Sequence, residues 1–445
     1  MTTIDNTASS QEKFDAKKAV PVILLFFVFA LIIDNSFKLI SVEIANDLNI
    51  SASTVSWQAT LAGLIIGIGA VVYASLSDSI SIRTLLIVGI ILICIGSVMG
   101  FLFKGSFALI LVSRIIQTAG LAAAETLYVI YVTKHLPEKE QKKFLGFSTS
   151  SYSLSLVVGS LTGGYVSTYL HWTTLFLIPL LSLVFLPFLI KYLPKEASRK
   201  SHVDVLGLIL IAAIATSVML YVTNFNWLYI ALFVIALGLF VMYISKSDNA
   251  LISIDFFKNR QFISVLGVAF VIYTVQLGYI FMFPFLLETM YGLKLDTISL
   301  LLIPGYVTAV LIGAFSGKIA EFLTSKQTVT MSITLIGLSL LIPGLFIESH
   351  VIIFVISMIL FSGAFALMYA PMIDSCVNTI PTEKKGTAIG FYNLTLNVAA
   401  SIGIAYTASL IDSVSYSQAL YVLTIVAAVS LVLYRILMGR LKNIS

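Results

Sequence analysis

The sequence predicts an all-α integral membrane protein with about fourteen transmembrane helices. Hydrophobic residues make up 59% of its 445 residues and charged residues only 11%, whereas a soluble domain carries about 25% charged residues. The apolar residues gather in runs of about 20, the length needed to cross the roughly 30 Å hydrocarbon core of a bilayer. Because these runs are continuous and do not alternate, they favour helices over a β-barrel.

The apolar runs form a group of six, a pair and a second group of six. The predicted spans are 19–40, 54–76, 85–102, 107–133, 144–170 and 173–192, then 205–225 and 227–243, then 263–291, 297–322, 328–347, 351–371, 386–411 and 419–438. The chain thus divides into a cytoplasmic tail 1–18, six helices over 19–193, a cytoplasmic linker 194–204, a helix pair over 205–243, a cytoplasmic loop 244–262 and six helices over 263–440.

The distribution of basic residues predicts the orientation of these spans. Of 26 lysines and arginines, 22 fall on the side of the N-terminus, whereas only Lys104 and Lys294 fall on the opposite side. Basic residues concentrate in cytoplasmic loops, so both termini are predicted to be cytoplasmic. The same clustering between apolar runs argues against a nucleic-acid partner, and the two cysteines, Cys94 and Cys376, lack the spacing of a metal site.

Four ionisable residues fall inside predicted spans, where a charge is costly unless it is paired or hydrated. Asp34 and Lys38 lie four residues apart on one face of the first span, and they can form an intrahelical pair. Arg114, Gln117 and Glu125 share a face of the fourth span, because eleven residues complete about three turns. These charges either carry protons and cargo or form static pairs that tie helices together.

Helix geometry places Asp34 and Arg114 at similar depth, in the outer half of the membrane. We therefore expect the two to approach each other across a central cavity, so that proton uptake by Asp34 frees Arg114. Glu125 lies in the inner half, where it can bind a cationic group of the substrate or act as a second proton site. Lys38 and Gln117 are further cavity candidates, and the alternative for Lys38 is that it snorkels outward.

Two local patterns predict moving parts. The fifth span contains "VVGSLTGGYV" with Gly159, Gly163 and Gly164, and small residues at such spacing allow helices to cross closely and slide. The loop "ASLSDSISIRT" places Asp78 and Arg83 between the second and third spans, where they are either gating charges or only a helix cap and a topology charge.

The second group of six spans offers fewer polar candidates. Gln276 and Asn393 are predicted to line the cavity, with the alternative that these amides only bond neighbouring helices. The four histidines are far apart and lie in or beside loops, which argues against an enzyme. A channel would need a polar pore or a filter loop, and no nucleotide-binding loop indicates ATP as the energy source.

Together these motifs resemble the major facilitator superfamily, and within it the fourteen-helix drug:proton antiporters. "ASLSDSISIR" is similar to the loop motif G-x-L-A-D-x-x-G-R, with Asp78 and Arg83 carrying its charges and Ala74 and Ser81 replacing glycines. "RIIQTAG" is similar to R-x-x-Q-G-x-x and keeps Arg114 and Gln117. "GSLTGG" resembles the exporters' G-P-x-x-G-G, with Ser160 in place of proline.

Within that group, "DNSFKLISVEIANDL", "SHVDVLG" and "YVTNFNW" are similar to the Gram-positive tetracycline efflux antiporters, especially the staphylococcal chromosomal type, and Asp204 matches an acidic position of that family. The sequence departs from the plasmid-type exporters at Leu156 and Ala400, where those exporters carry glutamates. Other carboxylates, Asp34 and Glu125 foremost, must then couple transport to protons.

The resemblance implies two six-helix bundles with two helices inserted between them and a cavity near the midplane. It implies export of tetracycline, carried as a divalent-metal chelate, in exchange for protons across the bacterial cytoplasmic membrane. The alternative is a broad exporter of lipophilic cations, which an aromatic-rich cavity also suits. We expect a monomer with no bound cofactor, driven by the proton gradient.

Overall fold

The computed structural model describes residues 16–77, 79–194, 204–247, 258–381 and 385–442, and these residues form helices and short connections without strands. The first helices are α1 (Ala16–Leu39), α2 (Ser41–Leu48), α3 (Ala52–Leu76), α4 (Ile82–Leu102), α5 (Phe107–His135), α6 (Glu138–Tyr169) and α7 (Phe185–Tyr192). The others are α8 (Val205–Asn224), α9 (Trp227–Lys246), α10 (Arg260–Tyr291), α11 (Leu295–Phe322), α12 (Ser325–Leu345), α13 (Ile352–Val377), α14 (Lys385–Ser413) and α15 (Tyr416–Lys442).

The predicted membrane architecture is confirmed. Thirteen helical segments in the described ranges are long and apolar enough to cross a bilayer. The remaining predicted span, 144–170, is present as α6, a helix of 32 residues. Its charged start and its many serines and threonines make it less apolar than the others, but it packs between α1 and α11. We therefore count α6 as the fourteenth span.

The sixth span differs in detail from the continuous helix predicted at 173–192. It begins with two 3₁₀ segments, Trp172–Phe176 and Ile178–Val184, and only then continues as α7. Pro179 lies near the start of the second segment, and a proline provides no N–H for an α-helical ladder. The whole segment, Trp172–Tyr192, is still long and apolar enough to cross the membrane.

The helices pack as two groups that meet along two seams. The first group comprises α1 and α3 to α7, and the second comprises α10 to α15. The groups meet where α3 packs on α14 and where α6 packs on α11. The inserted helix α8 packs on α14 and α3, through a small apolar cluster of Leu64, Ala215, Met219, Ile402 and Ala405. The inserted pair therefore covers one seam from outside.

Glycines allow the closest helix crossings, as the sequence of the fifth span predicts. A Cβ on Gly159 would lie 2.8 Å from the Cβ of Asn35, and one on Gly163 would lie 2.8 Å from the backbone oxygen of Ser36, both on α1. A Cβ on Gly164 would lie 2.6 Å from the backbone oxygen of Leu295 on α11. The same short stretch of α6 thus contacts α1 in its own group and α11 across the seam.

The tightest crossing lies in the second group and yields a stability prediction. A Cβ on Gly403 would lie 1.8 Å from the backbone oxygen of Thr274, whereas one on Gly238 would meet nothing within 4 Å. We expect Gly403→Ala to lower the free energy of unfolding by about 1–3 kcal/mol, because α14 must move away from α10. Thermal unfolding in detergent measures this. The control Gly238→Ala should keep or slightly raise stability, and an equal effect of both substitutions would contradict the packing described.

Candidate functional site

The structure brings Asp34, Lys38 and Arg114 together in the interior of the first helix group. Asp34 is only 3% exposed. Its Oδ2 lies 2.5 Å from Nζ of Lys38 on the same helix, and its Oδ1 lies 3.6 Å from Nη2 of Arg114 on α5. The approach of Asp34 to Arg114 that the sequence predicts is therefore present, and one carboxylate lies between two cations.

Arg114 is held on two sides besides Asp34. Its Nη1 donates a hydrogen bond to Oε1 of Gln117, and Nε2 of Gln117 donates to Oγ of Ser97 on α4 at 2.9 Å. The guanidinium carbon lies 4.1 Å from the centroid of the Phe37 ring, a distance at which the ring face attracts a cation. Gln117, which the sequence predicts as a cavity residue, therefore holds Arg114 in position.

Several polar atoms of this cluster and of Glu125 have no hydrogen-bond partner among the described residues. They are Oδ1 of Asp34, Nε and Nη2 of Arg114, and Oε1 of Glu125. The 3.6 Å between Asp34 and Arg114 suits an ion pair but exceeds a hydrogen bond. The cluster therefore keeps free donors and acceptors that a proton, a water molecule or a cargo group can satisfy.

Contacts with two neighbouring helices, α6 and α3, fix this part of α1. Nδ2 of Asn35 donates to Oγ of Ser155 at 3.1 Å, and Oγ of Ser36 donates to the backbone oxygen of Gly159 at 2.9 Å. From α3, the buried Gln58 donates to the backbone oxygen of Phe37 at 2.9 Å. The glycines of α6 permit this approach, so the close helix crossing predicted for the fifth span directly supports the charged cluster.

Tyr152, which no sequence pattern distinguishes, connects the charged cluster to the second helix group. Its phenol interacts electrostatically with Lys38, Asp34 and Glu125, and also with Tyr306 on α11. Nevertheless Tyr152 is 44% exposed. Since its neighbours belong to both groups, this exposed surface faces the space between the groups and not the lipid.

Tyrosines form the opposite wall of this space. Tyr273 on α10, Tyr306 on α11 and Tyr392 on α14 are buried, whereas Tyr369 on α13 is 40% exposed. Tyr369 interacts electrostatically with both Tyr152 and Tyr273. We call the space between Tyr152 and Tyr369 the vestibule. Its walls offer aromatic faces and phenol hydroxyls on one side and the charged cluster on the other.

A narrow cavity lies between the two groups beside Lys38. Its wall includes Asn35, Lys38, Leu156, Tyr306 and Ile404. The space open to water there is about 30 Å³, which is room for two or three water molecules. Leu156 lies in the same wall as Lys38, so Lys38 faces an apolar side chain there, and its ion pair is with Asp34.

Hydrogen bonds close the two groups against each other at the end of the molecule opposite the start of α1, here called the far end. Both carboxylate oxygens of Asp412 on α14 accept backbone N–H groups at the start of α3, from Ala52 at 3.0 Å and from Ser53 at 2.8 Å. The other seam is joined where the Tyr169 hydroxyl donates to Asp296 at 2.9 Å. The carboxylate of Asp412 thus caps a helix of the opposite group.

Acidic residues of α2 and α10 also meet at the far end. Nδ2 of Asn46 donates to Oε1 of Glu288 at 2.8 Å, and Nε1 of Trp172 donates to Oδ2 of Asp47 at 2.9 Å. Burial raises the pKa of Glu43 and the neighbouring Asp47 raises it further, whereas His171 acts in the opposite direction. This face therefore combines contacts between the groups with carboxyl groups close enough to interact.

Other residues predicted from the sequence lie apart from the charged cluster. Gln276 on α10 and Asn393 on α14 are half-buried, and their place in the cavity stays a prediction. Arg83 is the second residue of α4, and its predicted partner Asp78 lies outside the described residues. Asp204 caps α8 by accepting the N–H of Gly207 at 2.8 Å. Because the Tyr243 hydroxyl of α9 donates to the same carboxylate at 2.6 Å, Asp204 serves the helix pair.

Comparison with known proteins gives this arrangement a family. The family model of the Major Facilitator Superfamily matches residues 22–403 and again residues 263–442. The chain belongs to the major facilitator superfamily. It is therefore a membrane transporter and not an enzyme, and the resemblance at the level of the superfamily is confirmed.

Two relatives of this chain are named for different compounds. The chain is 24% identical over 417 residues to the riboflavin transporter RibZ of Clostridioides difficile (strain 630), covering 90% of each chain. It is also 24% identical over 436 residues to the quinolone resistance protein NorB of Staphylococcus aureus (strain Newman), covering 93% of this chain and 92% of that protein. These relatives support a transporter of small molecules, and neither of their names mentions tetracycline.

Solved structures share the fold of this major facilitator. A POT family transporter in complex with 5-aminolevulinic acid matches with a TM-score of 0.73 at 15% identity, covering 96% of both chains. A D-xylose-proton symporter matches with a TM-score of 0.68 at 13% identity, covering 94% of this chain and 96% of that one. At these identities the likeness shows the fold alone.

The charged cluster predicts a measurable coupling between Asp34 and Arg114. Asp34→Asn leaves the buried Arg114 and the half-buried Lys38 without their carboxylate, and removing one member of a buried pair costs about 3–5 kcal/mol. When Arg114→Gln is added, the combined loss of stability should be smaller than the sum, by about 1–3 kcal/mol. Unfolding by SDS in mixed micelles measures the cycle.

The matched control is the exposed ion pair between Lys17 and Glu140, whose atoms lie 2.7 Å apart. The corresponding cycle of Lys17→Gln and Glu140→Gln should give a coupling of about 0–1 kcal/mol, because water screens this pair. A coupling at Asp34 and Arg114 no larger than in this control would rule out the buried ion pair.

Proposed function

We propose that this protein exports planar, amphipathic aromatic drugs in exchange for protons, with tetracycline among its cargoes. The observation that carries the proposal is the buried carboxylate of Asp34 between Lys38 and Arg114, near the vestibule where Tyr152 and Tyr369 are partly exposed. A carboxylate in this position can gain or lose a proton only if Lys38 and Arg114 change their ion pairing with it.

The charge balance of the cluster explains how a proton drives movement. With Asp34 ionised, its charge offsets one of the two cations and draws α1 and α5 together. With Asp34 protonated, Lys38 and Arg114 repel each other in a medium that screens charge poorly, and Arg114 keeps only Gln117 and the Phe37 ring as partners. Protonation thus favours a different arrangement of α1 against α5, which is what coupling requires.

The vestibule suits an aromatic cargo with polar ends. Stacking on tyrosine rings stabilises a planar ring system, phenol hydroxyls bond its oxygens, and the free Oε1 of Glu125 can accept a cationic group or a metal ion carried with tetracycline. Quinolones and riboflavin, the compounds in the names of two relatives, are planar ring systems too. The alternative cargo class is the lipophilic cation, which needs Glu125 and the aromatic rings but not the hydroxyls.

The direction of transport rests on the exporters' motif that "GSLTGG" resembles, and the predicted sidedness gives the route. The near end, where α1 begins, is predicted to face the cytoplasm, and the hydrogen bonds of Asp412 and Tyr169 close the far end. In this conformation cargo would enter the vestibule from the cytoplasm. Export then requires the two groups to rock, with the far-end contacts broken and the near end closed. The cytoplasmic membrane of a bacterium is the proposed location, with a monomer as the working unit.

Transport assays on everted vesicles test the coupling role. With an imposed proton gradient, we expect wild-type vesicles to accumulate tetracycline and a quinolone. Asp34→Asn should reduce this uphill accumulation by at least about a hundredfold, because the proton can no longer enter or leave. Glu125→Gln should reduce the uptake of a lipophilic cation such as ethidium more than it reduces the uptake of riboflavin.

The controls separate coupling from folding. Asp34→Asn should still exchange cargo down its gradient, and Tyr152→Phe should keep coupling while changing the apparent affinity for cargo. Uphill accumulation by Asp34→Asn at the wild-type rate would overturn the role of Asp34. Accumulation of lipophilic cations alone would favour the broad cation exporter, and uptake of none of the four cargoes would remove drug export.

A labelling experiment tests the proposed rocking. Ala59 is buried and lines the narrow cavity, so Ala59→Cys in a chain lacking Cys94 and Cys376 reports on opening from the far end. Asp412→Ala should raise its labelling by an impermeant maleimide about fivefold or more, since losing even ~1 kcal/mol of hydrogen bonding shifts the equilibrium that far. Glu348→Ala, an exposed far-end acid, should change nothing. Unchanged labelling after Asp412→Ala would contradict a closing role.

A further inference from the structure

A cleft at the near end lies on the outside of the second helix group, far from the vestibule. It is formed by Lys326, Gln327, Thr330 and Met331 near the start of α12 and by Arg435 near the end of α15, and its volume is about 540 Å³. The two helices pack along their length. The cleft therefore sits where two packed helices reach the same end of the molecule.

The cleft is positively charged and its charges are available. Lys326 and Arg435 are both exposed, and neither forms an ion pair with a carboxylate in the described parts of the chain. Lys326 also lies in the first turn of α12, where the helix dipole adds positive potential. Two unpaired cations from different helices and a helix N-terminus thus face one space, which favours an anionic ligand.

An apolar, exposed stripe leads from this cleft along each helix. On α12 the stripe consists of Met331, Leu338, Ile342 and Leu345, and on α15 it consists of Ile425, Val429, Val432 and Ile436. The spacing of three, four or seven residues places each set on one helix face, and Arg435 lies on the face of Val432 and Ile436. Both helices cross the membrane, so the stripes face hydrocarbon.

We propose that this cleft binds the headgroup of an anionic phospholipid. The phosphate lies between Lys326 and Arg435, Thr330 and Gln327 supply polar groups beside it, and the acyl chains follow the two apolar stripes into the bilayer. A free phosphate ion shares the charge chemistry but gains nothing from the stripes. The predicted cytoplasmic location of the near end fits, because anionic lipids of that leaflet attract basic residues.

Lipid binding to purified protein tests the site without any transport assay. The probes are short-chain phosphatidylglycerol, short-chain phosphatidylcholine and inorganic phosphate, each titrated onto the protein in neutral detergent and followed by native mass spectrometry. We expect phosphatidylglycerol to bind more tightly than either other probe. Replacing both Lys326 and Arg435 with Gln should weaken its binding about tenfold or more, because both cations that attract the headgroup are lost.

The control carries the same change in charge elsewhere. Lys104 and Lys294, which the sequence predicts on the opposite side, are replaced together with Gln, and the binding of phosphatidylglycerol should stay within about twofold. Equal weakening in both double variants would show a general charge effect and overturn the site. Equally tight binding of inorganic phosphate would overturn the lipid assignment, and unchanged binding after Lys326→Gln with Arg435→Gln would remove the cleft altogether. Thermal unfolding of the protein in micelles of short-chain phosphatidylcholine verifies that both double variants are folded.

Discussion

The buried negative charge of Asp34 is the constraint around which the first helix group is built. A carboxylate this far from water needs cationic partners, and Lys38 and Arg114 provide them from α1 and α5. Their own positions depend on further contacts: Gln117 and Ser97 tie Arg114 to α4, while Gln58 ties α1 to α3. Four helices therefore share one electrostatic balance, and a change in the protonation of Asp34 affects them together.

The same helices carry this balance to the far end. α6 contacts α1 through Gly159 and Gly163 and contacts α11 through Gly164, so a shift of α1 is felt at the seam one turn away. On α3, Gln58 in the first half of the helix contacts α1, and Asp412 caps the start of the helix. The charged cluster and the closing contacts are thus linked by two rigid helices with no flexible loop between them.

Much of the fold and part of the site follow from the sequence. The helices were predictable because lipid leaves the backbone few alternatives, and Asp34, Lys38 and Arg114 stood out because charges are rare inside spans. Tyr152 could not be singled out, since it is one of 20 tyrosines and its importance comes from neighbours on the other helix group. Asp412 could not be singled out either, because the helix that it caps begins some 360 residues away in the chain.

The hydroxyl-rich helix α6 has a consequence for how the protein is made. A segment that begins with charged residues and continues with many serines and threonines partitions poorly into lipid, because polar residues raise the free energy of insertion. One of these serines, Ser155, accepts a hydrogen bond from Asn35 on α1. During synthesis α6 must therefore enter the membrane with α1 already in place, so that the order of insertion is built into the polar surface that later holds the charged cluster.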